Sequence, residues 1–391
     1  MNIPYGRQNV NQDDIDAVTQ VLKSDYLTQG PVVPKFENSV ALHTGAKYAV
    51  AVNSATSALH IACLALDVKP GDSVWTSPIT FVASANCALY CGATIDFVDI
   101  DPISYNMSIS ALRKKLELAK KTNTLPKVVI PVHLAGQSCE MIEIHKLSCK
   151  YGFKVIEDAS HAIGAEYLDK PVGSCLYSDI VVFSFHPVKI VTSVEGGMAV
   201  TNNSELASTM QQLRSHGITR DPSEMIGPTD GSWYYQQLHL GFNYRMSDVH
   251  AALGLNQMKR LKEFVIKRNS LASNYDSLLK DLSINIPIQS KECFSSFHLY
   301  IIRIPEKSQT FDRLQVFERL RSNGIGVNVH YIPVYRQPYF QKFNFSYKDF
   351  PESEAYYSEA ISLPLFPNLT KQQQEEIINI VASPIGHQAL F

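Results

Sequence analysis

Between residues 48 and 201 the chain repeats one alternation: a short, unbroken apolar run, a turn, then a longer run with helical spacing. "YAVAV" (48–52) precedes "ATSALHIACLAL" (55–66), and "SVWTS" (73–77) precedes "TFVASANCALY" (80–90). "TIDFVDI" (94–100), "KVVIPVHL" (127–134), "FKVIED" (153–158) and "DIVVFSF" (179–185) are further runs of the first kind. A strand with one wet face alternates polar and apolar residues, whereas unbroken apolar strands need cover on both faces. That condition is met by a largely parallel sheet whose crossover helices lie on either side, so the expected class is α/β.

The flanking regions add a leading helix in "NVNQDDIDAVTQVLKS" (9–24) and a long helical stretch over 246–282 that is expected to break somewhere along its length. Beyond it, "FHLYIIRI" (297–304), a helix over 310–324, a strand "IGVNVHYIP" (325–333) and a helix over 371–383 predict a smaller α+β unit. The turn-rich, aromatic segment 214–244 is too long for an idle loop in a compact domain, and is expected to be functional or to lie at a subunit interface. A formal charge of −2 on 391 residues gives no electrostatic reason to expect nucleic acid or an anionic membrane as partner. No apolar run approaches membrane-spanning length, and Met1-Asn2-Ile3-Pro4 does not open a signal peptide. The seven cysteines are scattered without CxxC spacing, which predicts buried thiols in a reducing compartment and no metal site. A cytoplasmic enzyme is expected.

In a doubly covered sheet, chemistry collects where loops leave the carboxyl ends of strands. Asn53, Ser77, His133, Asp158 and Ser184 fall at or near such ends. "NSATSALH" (53–60) places small and hydroxyl residues before a helix, giving an N-cap and free backbone N–H groups that suit an anion. Taken alone, a plain helix cap is the simpler reading: the dipole offers a phosphate about 0.3–1 kcal/mol, up to ~2 where partly buried. Hydroxyls such as those of Thr56 and Ser184 would have to add to it. Asp158 is either an exposed loop acid or a buried carboxylate that needs a cationic partner, such as a protonated ring nitrogen. Lys189, in "VVFSFHPVKIVTSVEGGMAV" (181–200), sits among Phe, Pro, Val and Ile, surroundings that lower a lysine pKa and free its amine as a nucleophile. With Phe81 at a strand–helix junction, these positions supply what pyridoxal phosphate requires: a phosphate anchor, a ring-nitrogen partner, a stacking face and an imine-forming amine. His133 and His186 read as core or orienting residues, most of Arg214, His216, Arg220 and Arg245 as structural or interface charges, and the tyrosines of 331–357 as packing, with Tyr331 the exception.

"EDASHAIGAEY" (157–167), "VGSCLYSDIVVFSFHPVKIVTSVEGGMAVTNN" (172–203) and "LGFNYRMSDVHAALGLNQMKRL" (240–261) closely resemble the DegT-type nucleotide-sugar aminotransferases. The likeness runs from "IPYGRQ" (3–8) and "SDYLTQGP" (24–31) through "HYIPVYRQPYF" (330–340) to "ISLPLFPNLT" (361–370). It implies an aspartate-aminotransferase-like (fold type I) large domain over residues 1–260, with a mostly parallel seven-stranded sheet, and a small α+β domain over 261–391. By the same resemblance Lys189 is the Schiff-base lysine of pyridoxal 5'-phosphate, Asp158 the partner of its ring nitrogen, and His161 the neighbour of its phenolic oxygen. Ala55, Thr56 and Ser184 meet the phosphate, Phe81 stacks on the ring, and Asn243 reaches the phosphate from the other subunit of a homodimer. Within the family, the opening segments and "SPITFVASANCALYCG" (77–92) are most similar to the branch serving pseudaminic-acid biosynthesis, which aminates C4 of a UDP-linked 4-keto-6-deoxy sugar with L-glutamate as donor. In that branch Tyr5, the run Asp25-Tyr26-Leu27-Thr28, Ala55, Ser184, Asn243 and the run His330-Tyr331-Ile332-Pro333 resemble substrate contacts. Rival readings are an aminotransferase for another nucleotide keto-sugar, a dehydratase of the same fold (which carries histidine at the lysine position), a desulfurase with a mobile cysteine, and a non-catalytic sensor.

Overall fold

A computed structural model describes residues 2–305 and 312–383. Thr310 and Phe311 of the expected 310–324 helix, and residues 384–391 of the expected small domain, lie outside the described residues.

Seven strands form one sheet: β1 (Tyr48–Val52), β2 (Ser73–Thr76), β3 (Thr94–Phe97), β4 (Val128–Ile130), β5 (Lys154–Asp158), β6 (Ile180–Ser184) and β7 (Gly197–Thr201), in the order β1-β7-β6-β5-β4-β2-β3. Only β7 runs against the others, and it lies between β1 and β6. Gly197 is paired with Val52 on one side and Ser184 on the other, so the carboxyl ends of β1 and β6 meet at the first residue of β7. This register sets the loop after β1 beside Ser184. Both faces are covered as the apolar runs require: Val50 and Val52 face one core with Ala58 and Ile61, while Ala49 and Ala51 face another with Phe183 and Phe264. Each fully buried Val, Ile or Phe among them stabilises the fold by roughly 1.5–3 kcal/mol.

The helices that bear on the site are α1 (Gln12–Leu22), α2 (Ala55–Ala65), α3 (Ala83–Tyr90), α4 (Asp248–Met258), α5 (Leu261–Leu279), α6 (Arg313–Ser322) and α7 (Lys371–Ala382). Asn11 and Asp14 form a capping box that starts α1. The long helical stretch breaks at Lys259–Arg260, between α4 and α5. Helix α5 joins two cores: Leu261, Phe264 and Val265 pack with the large sheet, whereas Leu271, Tyr275 and Leu279 pack with Ile302, Ile361 and Ile377. Strands β8 (Tyr300–Arg303) and β9 (Ala360–Leu363) pair antiparallel in that second core. Ile3 is buried in it too and bridges Ile325, which fastens the N-terminal segment to the C-terminal unit. The segment 325–333 departs from the expected strand, pairing only at Ile325 with Ile3 and at Asn328 with Ser362. Five consecutive residues, Asn328 to Ile332, line one cavity, which a strand with its alternating side chains cannot do.

Candidate active site

Ser54, immediately after β1, adopts an extended conformation and caps α2, its Oγ accepting the Ser57 N–H at 3.1 Å. The N–H groups of Ala55 and Thr56 have no acceptor within the described residues. They point from the positive end of α2, and their residues line a cavity that the Ser184 side of the site closes. The close approach depends on Gly197: a Cβ there would lie 2.4 Å from the Ser54 carbonyl and 2.5 Å from the Ala55 nitrogen. Donors and hydroxyl together fit a phosphate.

Asp158, the last residue of β5, is buried and faces the same cavity. Ser84 of α3 donates to its Oδ2 at 2.6 Å, and the Ser160 N–H to its Oδ1 at 3.1 Å. Ser84 itself meets the Thr80 hydroxyl at 2.8 Å. Lys189 lies on the opposite stretch, in the loop from β6 to β7, its N–H donating to the His186 carbonyl at 2.9 Å. Burial lowers its pKa to about 8, against the opposing attraction of Asp158. Phe81 stands at the mouth with 58% of its surface exposed and its ring 6.3 Å from that of Tyr331, a flat apolar face with no ring stacked on it among the described residues.

His161 is buried, and its ring nitrogens are both engaged. The Ala135 N–H donates to Nδ1 at 3.3 Å, which puts the ring proton on Nε2, 3.1 Å from the Tyr331 hydroxyl. Burial, with the charge of Lys189 behind it, holds His161 well below the usual imidazole pKa. His330, 2.8 Å from the Ser362 hydroxyl, is pushed down to about 3 by burial and by Lys189. Burial raises the Tyr331 pKa, so its hydroxyl stays protonated.

The cavity, of about 570 Å³, brings together Tyr5, Ala55, Thr56, Phe81, Asp158, His161, Ser184, Lys189, His330, Tyr331 and Ile332 of the residues singled out in the sequence. Asp25, Tyr26, Leu27, Thr28, Asn243 and Pro333 are not on its wall. Leu27 and Thr28 are held at the start of α4, Leu27 accepting the Asp248 N–H at 3.0 Å and Thr28 bridging Ser247. Asn243 is exposed, its backbone bridging Ser215. His133 is a satisfied core residue, Nε2 2.7 Å from Glu157 and Nδ1 accepting the Cys139 N–H at 3.1 Å. Arg214 binds Glu37 and the Ala51 carbonyl, a structural role. His186 and Glu195 also line the cavity. Sequence reasoning missed Ser84, which reads as an ordinary mid-helix serine, and His298, hidden in an apolar strand-like run.

The model of the DegT/DnrJ/EryC1/StrS aminotransferase family matches residues 8–382. A relative named UDP-4-amino-4,6-dideoxy-N-acetyl-beta-L-altrosamine transaminase, from Campylobacter jejuni, is 42% identical over 342 residues, covering 87% of this chain and 86% of its own. Among solved structures, Helicobacter pylori PseC, described as an aminotransferase involved in pseudaminic-acid biosynthesis, superposes with a TM-score of 0.88 at 33% identity, covering 97% of this chain and 98% of its own. The sugar aminotransferase Spr1654 of Streptococcus pneumoniae has been solved in a PLP-form and a PMP-form, with TM-scores of 0.87 and 0.88 at 28% and 29% identity; each comparison covers 97% of this chain and 98% of the other.

Proposed function

Because the chain belongs to the DegT/DnrJ/EryC1/StrS aminotransferase family, we propose that it moves the amino group of L-glutamate onto C4 of a UDP-linked 4-keto-6-deoxy-N-acetylhexosamine, the precursor of an L-altrosamine, using pyridoxal 5'-phosphate. The observation that carries the reading is one cavity holding a lysine with its pKa lowered to about 8, a buried aspartate and a helix N-terminus with unused N–H groups. The relatives named as altrosamine transaminases support the choice of sugar, and the cofactor forms of the Spr1654 structures support the choice of cofactor.

When bound, pyridoxal phosphate supplies an aldehyde that condenses with amines and a ring that takes up the electron pair released as a Cα–H bond breaks. The residues present fit it: Ala55, Thr56 and Ser184 would hold the phosphate, Asp158 the ring nitrogen, Phe81 the ring face and Lys189 the aldehyde. With a pKa near 8, Lys189 is roughly a tenth free amine at pH 7, against fewer than about one in a thousand at the ordinary value. That makes Nζ a competent nucleophile and, once released, the base for the donor's Cα proton. Ser84 and Ser160 fix the Asp158 carboxylate, and neutral His161 holds the Tyr331 hydroxyl without competing for the proton on Lys189. Tyr5, His330, Tyr331 and Ile332 form the wall assigned to the sugar.

Two sites shared across a homodimer are part of this reading. Asn243 is exposed and off the cavity wall, and the nearby segment leaves Ile226, Trp233 and Leu240 more than 70% exposed, an apolar surface suited to a second copy. Asn243 and the 25–28 run are assigned to the neighbouring site and to the nucleotide sugar respectively. The smaller unit beginning at residue 261 and a cytoplasmic setting, in keeping with seven unpaired cysteines, complete the proposal. The test offers L-glutamate with the L-arabino-configured UDP-4-keto sugar or its D-xylo isomer, and identifies the products by mass and NMR. Amination of the L-arabino sugar is expected. Preference for the D-xylo isomer overturns the altrosamine assignment, and no amination of either overturns the substrate class.

A further inference from the structure

His298 stands on the wall of the same cavity and has no role in the scheme above. Its ring lies 4.4 Å from the His161 ring and is 4% exposed. Nδ1 is sealed from solvent without a hydrogen-bond partner, and the ring forms no hydrogen bond within the described residues, so Nε2 is the nitrogen that opens on the cavity. The backbone beneath it is clamped: fully buried Arg268 of α5 donates from Nη1 to the carbonyls of Phe297, His298 and Leu365 at 3.1, 3.2 and 3.0 Å. Gly136 packs against the other side, where a Cβ would lie 3.0 Å from the His298 nitrogen. Burial, with the cations of Lys189 and Arg268 behind it, holds the imidazole pKa well below its usual value, so the ring is neutral. A neutral ring has one proton, and a sealed N–H without an acceptor costs more than a sealed lone pair. The proton therefore belongs on Nε2, as a fixed donor facing the cavity.

Within one subunit, such a donor answers a shortage. Among the described lining residues Lys189 is the only lysine or arginine, while Asp158 and Glu195 are acidic. Lys189 is occupied by the aldehyde and then by proton transfer, yet an amino-acid donor carries a carboxylate beside its reacting amine. We propose that His298 donates its Nε2–H to the α-carboxylate of the amino-acid donor, orienting the Cα–H bond toward Lys189. The inference rests on the transaminase reading above.

The test measures the two half-reactions of the holoenzyme separately by cofactor absorbance: L-glutamate on the pyridoxal form, and the keto sugar on the aminated form. His298→Leu removes the donor at similar volume, and His298→Gln keeps an N–H. A hydrogen bond to a charged acceptor predicts a loss of about 10- to 100-fold in apparent glutamate affinity for the Leu variant, with a smaller change in limiting rate. The Gln variant should recover most of the loss, and the sugar half-reaction should stay within about threefold. On the wild-type enzyme, replacing the donor's α-carboxylate by its amide should cost a similar factor, a comparison that needs no variant to fold. Unchanged glutamate affinity, equal loss in both half-reactions, loss confined to the sugar, or indifference to the α-amide each overturns the proposal. A wild-type holoenzyme that L-glutamate does not convert refutes the donor assignment itself, and is told apart because no variant is involved.

Discussion

A lysine kept for chemistry inside a cavity should weaken the fold that holds it, and the Lys189 amine permits a number. Its pKa falls from the ordinary 10.5 to about 8 because burial disfavours the cation, with Asp158 only partly offsetting this. At about 1.4 kcal/mol per pH unit, that difference corresponds to about 3.5 kcal/mol, which water in the open cavity reduces to about 1–2 kcal/mol. Below pH 8 the lysine is protonated in both folded and unfolded chains, and the penalty is complete. As pH rises through 8 the folded amine releases its proton while the unfolded lysine keeps it until about 10.5. The unfolded chain then binds more protons, so this penalty shrinks as pH increases. Lys189→Met, freed of cofactor, should therefore exceed the cofactor-free wild type in urea stability by about 1–2 kcal/mol at pH 7. The gap should narrow steadily from pH 8 and nearly close by about 10.5. A variant no more stable than wild type at pH 7, or a gap that is flat or widens with pH, would refute the claim that burial sets this lysine's pKa.

Other outcomes follow from single contacts. Borohydride reduction of the holoenzyme and peptide mapping should place the pyridoxyl label on Lys189, and a label on any other lysine would remove it from its role. Ser84→Ala deletes a 2.6 Å hydrogen bond to the Asp158 carboxylate and should cost about 1.5–3 kcal/mol, read as weaker cofactor retention on dialysis; undiminished retention would mean Asp158 does not face the cofactor. Gly197→Ala drives a Cβ to 2.4 Å from the Ser54 backbone, so a loss of about 1–3 kcal/mol in urea unfolding and a weakened phosphate site are expected, and wild-type affinity for inorganic phosphate in the apo protein would count against the cradle. Tyr331→Phe leaves the His161 Nε2–H without its 3.1 Å partner and should lower kcat/KM about tenfold, while an unchanged value in steady-state assays would confine Tyr331 to packing.

The sheet was legible because its physics is local: strands with both faces buried must be apolar throughout, and six runs announce themselves that way. The seventh, Gly197–Thr201, is not announced, since two glycines read as a turn and nothing local says that the chain reverses to run antiparallel between β1 and β6. Gly197 is nevertheless why the site exists, because only a residue without Cβ lets the α2 N-terminus close on β7. Lys189, Asp158 and Ser184 could be found from chemistry placed at strand ends. The segment 325–333 misled for the opposite reason: its β-branched residues suggest a strand, yet Ile325 and Val327 are spent on the second core and Val329 and Ile332 on lining a cavity, while the chain is tied down by single bridges to Ile3 and Ser362. His298 shows where such reading stops. A histidine inside an apolar run is ordinarily a core residue, and it becomes a candidate ligand contact only once the folded chain brings it beside His161, seals one ring nitrogen and leaves the other open on the cavity that Lys189 also lines.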